Sequence, residues 1–178
     1  KNDLYALELD GSFQFRKEKI VPNNNSDREV LVHQKAMVSC MIDTNTIITH
    51  GGYINSTGTE PIDQMCEYNA KAKTWSIRTL PTKKVDPNAN DKGQREGHVS
   101  TVGHTLTATQ NENDLRYGNA YLFGGGCHEQ QKLTNQFYKY NLSKNLWEEI
   151  KHKQKSNPKP NPRAGHSSTF VGKDKTAF

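Results

Sequence analysis

The stretch Ala120-Tyr121-Leu122-Phe123-Gly124-Gly125, followed by Tyr140 and Trp147, decides the fold, because the same succession occurs earlier in the chain. Thr46-Ile47-Ile48-Thr49-His50 ends in Gly51-Gly52, 73 positions before Gly124-Gly125. Tyr68 and Trp75 stand 72 positions before Tyr140 and Trp147, and each Tyr precedes its Trp by seven residues. A third landmark, Arg95-Glu96-Gly97-His98, matches Arg163-Ala164-Gly165-His166 at an offset of 68. Landmarks in one order at nearly one offset mark an internal repeat, whose units bury their apolar faces only against their neighbours.

Each unit divides into four short strands, a to d. Strand a follows the Arg-x-Gly-His element, over His98 to Thr105 and His166 to Val171. Strand b is the apolar run that ends in the glycine pair. Strand c holds the alternating Met65 and Glu67, or Phe137 and Lys139, with its Tyr. Strand d carries the Trp, over Thr74 to Arg78 and Leu146 to Ile150. These runs are β-branched or aromatic and bounded by Asn, Gly, Pro and Lys, as strands are. No segment shows a helical period of 3.6, so the fold class is all-β. The pairs Gly51-Gly52 and Gly124-Gly125 permit backbone torsions closed to other residues. Tyr68, Trp75, Tyr140 and Trp147 supply large buried area, which makes them core residues and not ligand-stacking groups.

Gly-Gly, then Tyr, then Trp, then Arg-x-Gly-His resembles the kelch motif, and the resemblance covers nearly the whole chain. It implies a β-propeller of four-stranded antiparallel blades. Residues 1–19 fit strands c and d of a first blade, with Phe15 or Phe13 where the Trp would stand. Residues 30–80 and 95–150 fit two complete blades, and 163–178 fit strands a and b of a fourth. Kelch repeats run about 50 residues, so the 72-residue spacing implies insertions, placed in Pro81 to Gln94 and Gln110 to Gly118. The second blade has Val32-His33-Gln34-Lys35 in place of Arg-x-Gly-His. Two whole blades and two complementary halves equal three, whereas a propeller has about four to eight and the resemblance implies six. The propeller is therefore expected to be incomplete in this chain, its remainder supplied by further sequence or by another chain.

Composition suits short strands joined by polar connections. Only 32% of the 178 residues are hydrophobic, and the net charge is +5, too small to indicate a disordered polyelectrolyte. Cys40, Cys66 and Cys127 follow no metal-ligand spacing and cannot all pair, which points to a reduced, cytoplasmic setting. The sequons at Asn55 and Asn141 point the other way, but such triplets arise by chance in Asn-rich chains. No apolar run approaches the roughly 18 residues of a membrane span. The opening Lys1-Asn2-Asp3-Leu4-Tyr5 has no Met and no signal-peptide pattern, and reads as a cut into a longer polypeptide.

No motif selects a catalytic residue. Gly124-Gly125-Gly126-Cys127-His128-Glu129 lacks the Gly-Lys-Ser/Thr of a phosphate loop. Adjacent Cys127, His128 and Glu129 would point alternately to opposite faces of a strand, which suits a turn better than a metal site. His98 and His166 recur with the repeat, as structural residues do and catalytic ones have no reason to. Neither a Gly-x-Ser-x-Gly elbow nor the marks of the copper oxidases that share the kelch architecture appear. Neither enzyme activity within this segment, nor a metal, nor a cofactor is expected.

Strand order locates the working face. The b–c loops (Tyr53 to Pro61, Gly126 to Thr134) and d–a loops (Pro81 to Gln94, Lys151 to Pro162) share one side, and the a–b and c–d loops share the other. Loops on a rigid scaffold suit recognition. The candidate partner-binding residues are Tyr53, Asn55, His128 and Glu129 from the b–c loops and Arg95, Lys151, Lys153, Lys155 and Arg163 from the d–a segments. Residues 151–162 hold Lys151, Lys153, Lys155 and Lys159 and no acid, so an acidic or phosphorylated protein or peptide is the expected partner. With no aromatic in that loop to stack bases, nucleic acid is disfavoured. Two function classes stay open: an interaction platform in an adaptor or scaffold, and the regulatory part of a larger enzyme such as a phosphatase or methyltransferase.

Overall fold

Short runs, the longer ones of four or five residues and rich in aromatic or β-branched side chains, form strands in the computed structural model, which describes residues 4–18, 21–22, 37–53, 64–78, 101–102, 104–109, 118–127, 132–151, 159–171 and 176–177. Every regular element among them is a β-strand, so the fold of the described residues is all-β. β1 (Leu4–Leu7) and β2 (Phe15–Glu18) form an antiparallel hairpin. β3 (Val21–Pro22), β4 (Val38–Met41), β5 (Thr46–His50), β6 (Met65–Asn69) and β7 (Thr74–Arg78) make the second sheet. Its order is β3-β7-β6-β5-β4, antiparallel except for the parallel β3–β7 pair.

β8 (Thr101–Val102) and β9 (Thr105–Thr109) come next, then β10 (Asn119–Phe123), β11 (Gly126–Cys127) and β12 (Lys132–Leu133). β13 (Phe137–Asn141) and β14 (Leu146–Glu149) complete the third sheet, an antiparallel β14-β13-β10-β9. β12-β11-β8 is a separate small ribbon, and β15 (Phe170–Val171) pairs with β16 (Thr176–Ala177) in a last hairpin.

The repeat is visible in register and in turns. Tyr68 lies opposite Trp75, and Tyr140 opposite Trp147. Both hairpins that join these strands close in the same way. The Asn69 Oδ1 accepts from the Ala72 N–H (2.8 Å), and the Asn141 Oδ1 from the Lys144 N–H (2.9 Å). The next residue is left-handed in each, Lys73 at φ 58° and Asn145 at φ 53°. An Asn that bonds the backbone two or three residues on is a turn former in its own right.

Two seams hold the sheets face to face. Because side chains alternate along a strand, the second sheet has two distinct faces. Cys66, Tyr68 and Trp75 lie on one and pack with Leu4 of the first hairpin. Ile48 and Met65 lie on the other and join Leu106, Leu122, Tyr140 and Trp147 of the third sheet in the main core. Arg78 bolts this second seam from its edge. Its guanidinium donates to Glu67 Oε2 (2.8 Å), to Asn145 Oδ1 (2.9 and 3.1 Å) and to the Leu142 carbonyl (2.5 Å). Asn145 Oδ1 also accepts from the Tyr140 hydroxyl (3.0 Å).

The structure corrects the position of strand a. It spans Thr105–Thr109 and not His98 to Thr105, because register against β10 sets Thr105 opposite Phe123 and Thr109 opposite Asn119. Thr101–Val102, inside the expected strand, pairs with Gly126–Cys127 instead. In the second sheet the same register sets Val38 opposite His50, so Met37 precedes strand a where His104 does in the third. Val32 to Lys35, which the sequence places there, lies outside the described residues, as do the two expected insertions apart from Gly118.

Candidate interaction rim

The glycine pairs are built into the loop-bearing end of the sheets. Gly51 and Gly52 have φ of 72° and 96°, and Gly124 and Gly125 have 70° and 92°, a region that costs residues with a Cβ. The N–H of Gly51 donates to the Gln64 carbonyl (3.2 Å), and that of Gly124 to the Gln136 carbonyl (3.1 Å). Strand b thus leaves its sheet at the same point in both repeats.

Beyond the second pair, the b–c connection is stitched to the segment that enters the next repeat. Gly125 N–H donates to the Arg163 carbonyl (2.8 Å), Arg163 N–H to the Thr134 carbonyl (3.2 Å), and Thr134 N–H back to the Gly125 carbonyl (2.8 Å). The Asn135 side chain donates to the Pro160 carbonyl (2.9 Å). On the other flank, β11 pairs with β8, from the segment that leads into β9. The b–c connection therefore lies between two d–a segments. Approach is so close that a Cβ on Gly124 would lie 2.7 Å from the Arg163 carbonyl oxygen and from His166 Cε1.

Two histidines stand at matching places. His166 packs edge-on against Phe123 (5.3 Å, 75°), with Nε2 3.2 Å from the Thr105 hydroxyl. His104 packs in the same way against His50 (5.2 Å, 75°), and its Nε2 lies 3.1 Å from His50 Nδ1. Phe123 and His50 each precede a glycine pair, so His104, and not His98, occupies the place of His166. His98 itself lies outside the described residues. In sequence, Gly103-His104-Thr105 parallels Gly165-His166-Ser167, a shorter match than that of Arg95-Glu96-Gly97-His98 to Arg163-Ala164-Gly165-His166. Burial holds His50 down to about 3, and burial followed by the Arg163 charge lowers His166. Each histidine is thereby kept neutral.

Of the candidate partner-binding residues, Arg163 and Lys151 are exposed and Tyr53 is half-buried. Asn55, Arg95, His128, Glu129, Lys153 and Lys155 lie outside the described residues. Lys159 and Arg163 edge a hollow of about 430 Å³ floored by Tyr121, Phe123 and Phe137. Gly51, Gly52, Gly124, Gly125, Tyr68, Trp75, Tyr140 and Trp147 are all buried, and His166 is half-buried. Among the described residues no group of three His, Cys, Asp or Glu is placed to hold a metal ion, and no helix is long and apolar enough to cross a membrane. The Cys40 thiol is pushed up to about 12 by burial, which disfavours the thiolate a nucleophile needs. The rim sets the exposed Lys159 and Arg163 beside the hydrogen-bonded backbone of Gly125, Thr134 and Arg163.

No protein-family description matches the sequence, and neither does any curated protein. Among solved structures the chain is similar to the structure of YjhT, with a TM-score of 0.49 and 22% sequence identity over 84% of this chain. The match covers 34% of that structure, so the chain spans about a third of its length.

Proposed function

We propose that this chain is part of a kelch-type β-propeller and acts as a non-catalytic protein-interaction platform in the cytoplasm. Its b–c and d–a loops would receive a protein or peptide. One observation carries this reading: the Gly125–Arg163–Thr134 hydrogen bonds bring a b–c and a d–a segment into one rim above a rigid sheet. Face-to-face stacking of Tyr/Trp-bearing sheets supports the propeller part, and the free thiol of Cys40 suits a reducing compartment.

The rim's charge favours an acidic partner. Lys151, Lys159 and Arg163 are exposed on or beside the d–a segment, and Lys153 and Lys155 lie in the same acid-free run. Their potentials add and steer anions. The test is fluorescence anisotropy with a labelled oligo-glutamate peptide, at low and moderate salt, on the parent and on Lys151→Glu, Lys153→Glu, Lys155→Glu combined. The parent should bind with an affinity that falls as salt rises, and the variant should lose about tenfold or more with a shallower salt slope. Equal affinity and equal slope would remove the rim from the reading.

A further inference from the structure

The two seams carry one edge device in two chemistries. Lys73 and Asn145 are the left-handed residues of the turns that join β6 to β7 and β13 to β14. Each is held across its seam by the last residue of a strand in the sheet before it. Glu18, which ends β2, meets the Lys73 ammonium at 2.9 Å, and Arg78, which ends β7, donates to the Asn145 Oδ1 at 2.9 Å. Glu18 and Arg78 each stand five positions beyond the left-handed residue of their own turn, Phe13 and Lys73. The place is therefore the same and only the pair differs. The Glu18 side chain is 8% exposed, and its other oxygen lies 2.8 Å from the Arg16 guanidinium, so both carboxylate oxygens are taken. Left-handed backbone suits Asn far better than Lys. The third sheet has the comfortable residue at this place, whereas the second accepts strain at Lys73 and thereby sets a cation opposite Glu18.

We propose that these pairs are matched keys that let each sheet stack only on its own neighbour. Repeated units of like shape are prone to assemble out of order, and discrimination against a wrong partner needs a repulsive element as well as an attractive one. Both exchanges here are repulsive. Glu18 brought to Asn145 would face the Leu142 carbonyl, which now accepts from Arg78, and an Oδ1 already engaged by the Tyr140 hydroxyl. At that edge the Arg78 side chain is only 17% exposed, so a carboxylate put in its place would lose water and find acceptors. Arg78 brought to Lys73 would set two cations together where Glu18 now lies between Arg16 and Lys73. The apolar parts of the seams do not discriminate in this way, because aliphatic and aromatic contacts tolerate exchange. Sheet order is therefore written in the edge pairs.

This inference rests on the two seams and is independent of the acidic partner. It is tested by hydrogen exchange of residues 4–18, read by mass spectrometry on the whole chain. A two-stranded hairpin is marginal by itself, so these amides report whether the first seam holds. Lys73→Asn relieves the turn, yet it should speed their exchange about threefold, the size of one partly exposed ion pair. In a Glu18→Ala background the same substitution should slow exchange, since only relief of the turn is left. Glu18→Arg sets a cation against Lys73 and should speed exchange further than Lys73→Asn does. Adding Lys73→Asn to Glu18→Arg puts the second seam's pair into the first, and should bring exchange back to within about twofold of the parent, a coupling that independent sites do not show. An equal effect of Lys73→Asn with and without Glu18, or Glu18→Arg left unrescued by Lys73→Asn, would overturn the proposal.

Discussion

Gly124 and Gly165 separate two costs that a glycine can avoid. Both have φ near +70°, but a Cβ on Gly124 would meet Arg163 and His166 at 2.7 Å, while one on Gly165 would meet nothing within 4 Å. Gly165→Ala should therefore cost only the left-handed penalty, about 1–2 kcal/mol, and Gly124→Ala clearly more. Urea titration of both variants measures the difference, and equal costs would mean that the d–a segment does not sit on the glycine pair. His50 provides a pH signature. Its native value, near 3, lies below the ordinary 6.5, so from pH 6.5 down towards 3 the unfolded chain binds a proton that the native chain refuses. Stability should fall with falling pH across that window, by up to about 1.4 kcal/mol per unit. His166, also lowered, adds with the same sign, whereas Asp10 and Glu18, lowered by hydrogen bonds and cations, contribute only nearer pH 4. Chemical denaturation at stepped pH should show a shallower slope for His50→Gln than for the parent.

Strands and seams account for most of the stability. Trp147, with Tyr140 4.9 Å away and His50 on its other side, fills the main core. Trp147→Ala should cost about 3–5 kcal/mol, as large aromatic deletions in cores do. A variant that melted like the parent but lost a ligand would make it a binding residue instead. Arg78 is mostly buried against Glu67 and Asn145. Arg78→Lys should lower the melting temperature nearly as much as Arg78→Leu, because an ammonium cannot reproduce the planar fork that reaches three acceptors. The aromatic landmarks made strands b, c and d legible in sequence, since Gly-Gly, Tyr and Trp mark their ends or centres. Strand a carries no such residue. Its Thr105-Leu106-Thr107-Ala108-Thr109 is bland, and only pairing with β10 fixes it. The Arg78 bridge was invisible for a different reason: its partners Leu142 and Asn145 come from a turn 64 and 67 residues away.

At the scale of the whole molecule, the repeat aromatics Tyr68, Trp75, Tyr140 and Trp147 lie in the seams between sheets. In the function proposed above, the glycine-pair end with its Lys/Arg-bearing segments is the part that meets a partner. The alternation of faces, and hence which aromatics are buried, was legible from the repeat, but which sheet each face packs on appeared only with the structure. Trp75 and Trp147 are the chain's two tryptophans, and each sits in a different seam, so their emission reports the stacking directly. Single-Trp chains, made by Trp75→Phe and by Trp147→Phe, should each show blue-shifted fluorescence that acrylamide quenches poorly, because both indoles are less than a tenth exposed. Red-shifted emission that acrylamide quenches readily, from either tryptophan in the folded chain, would contradict face-to-face stacking of the sheets.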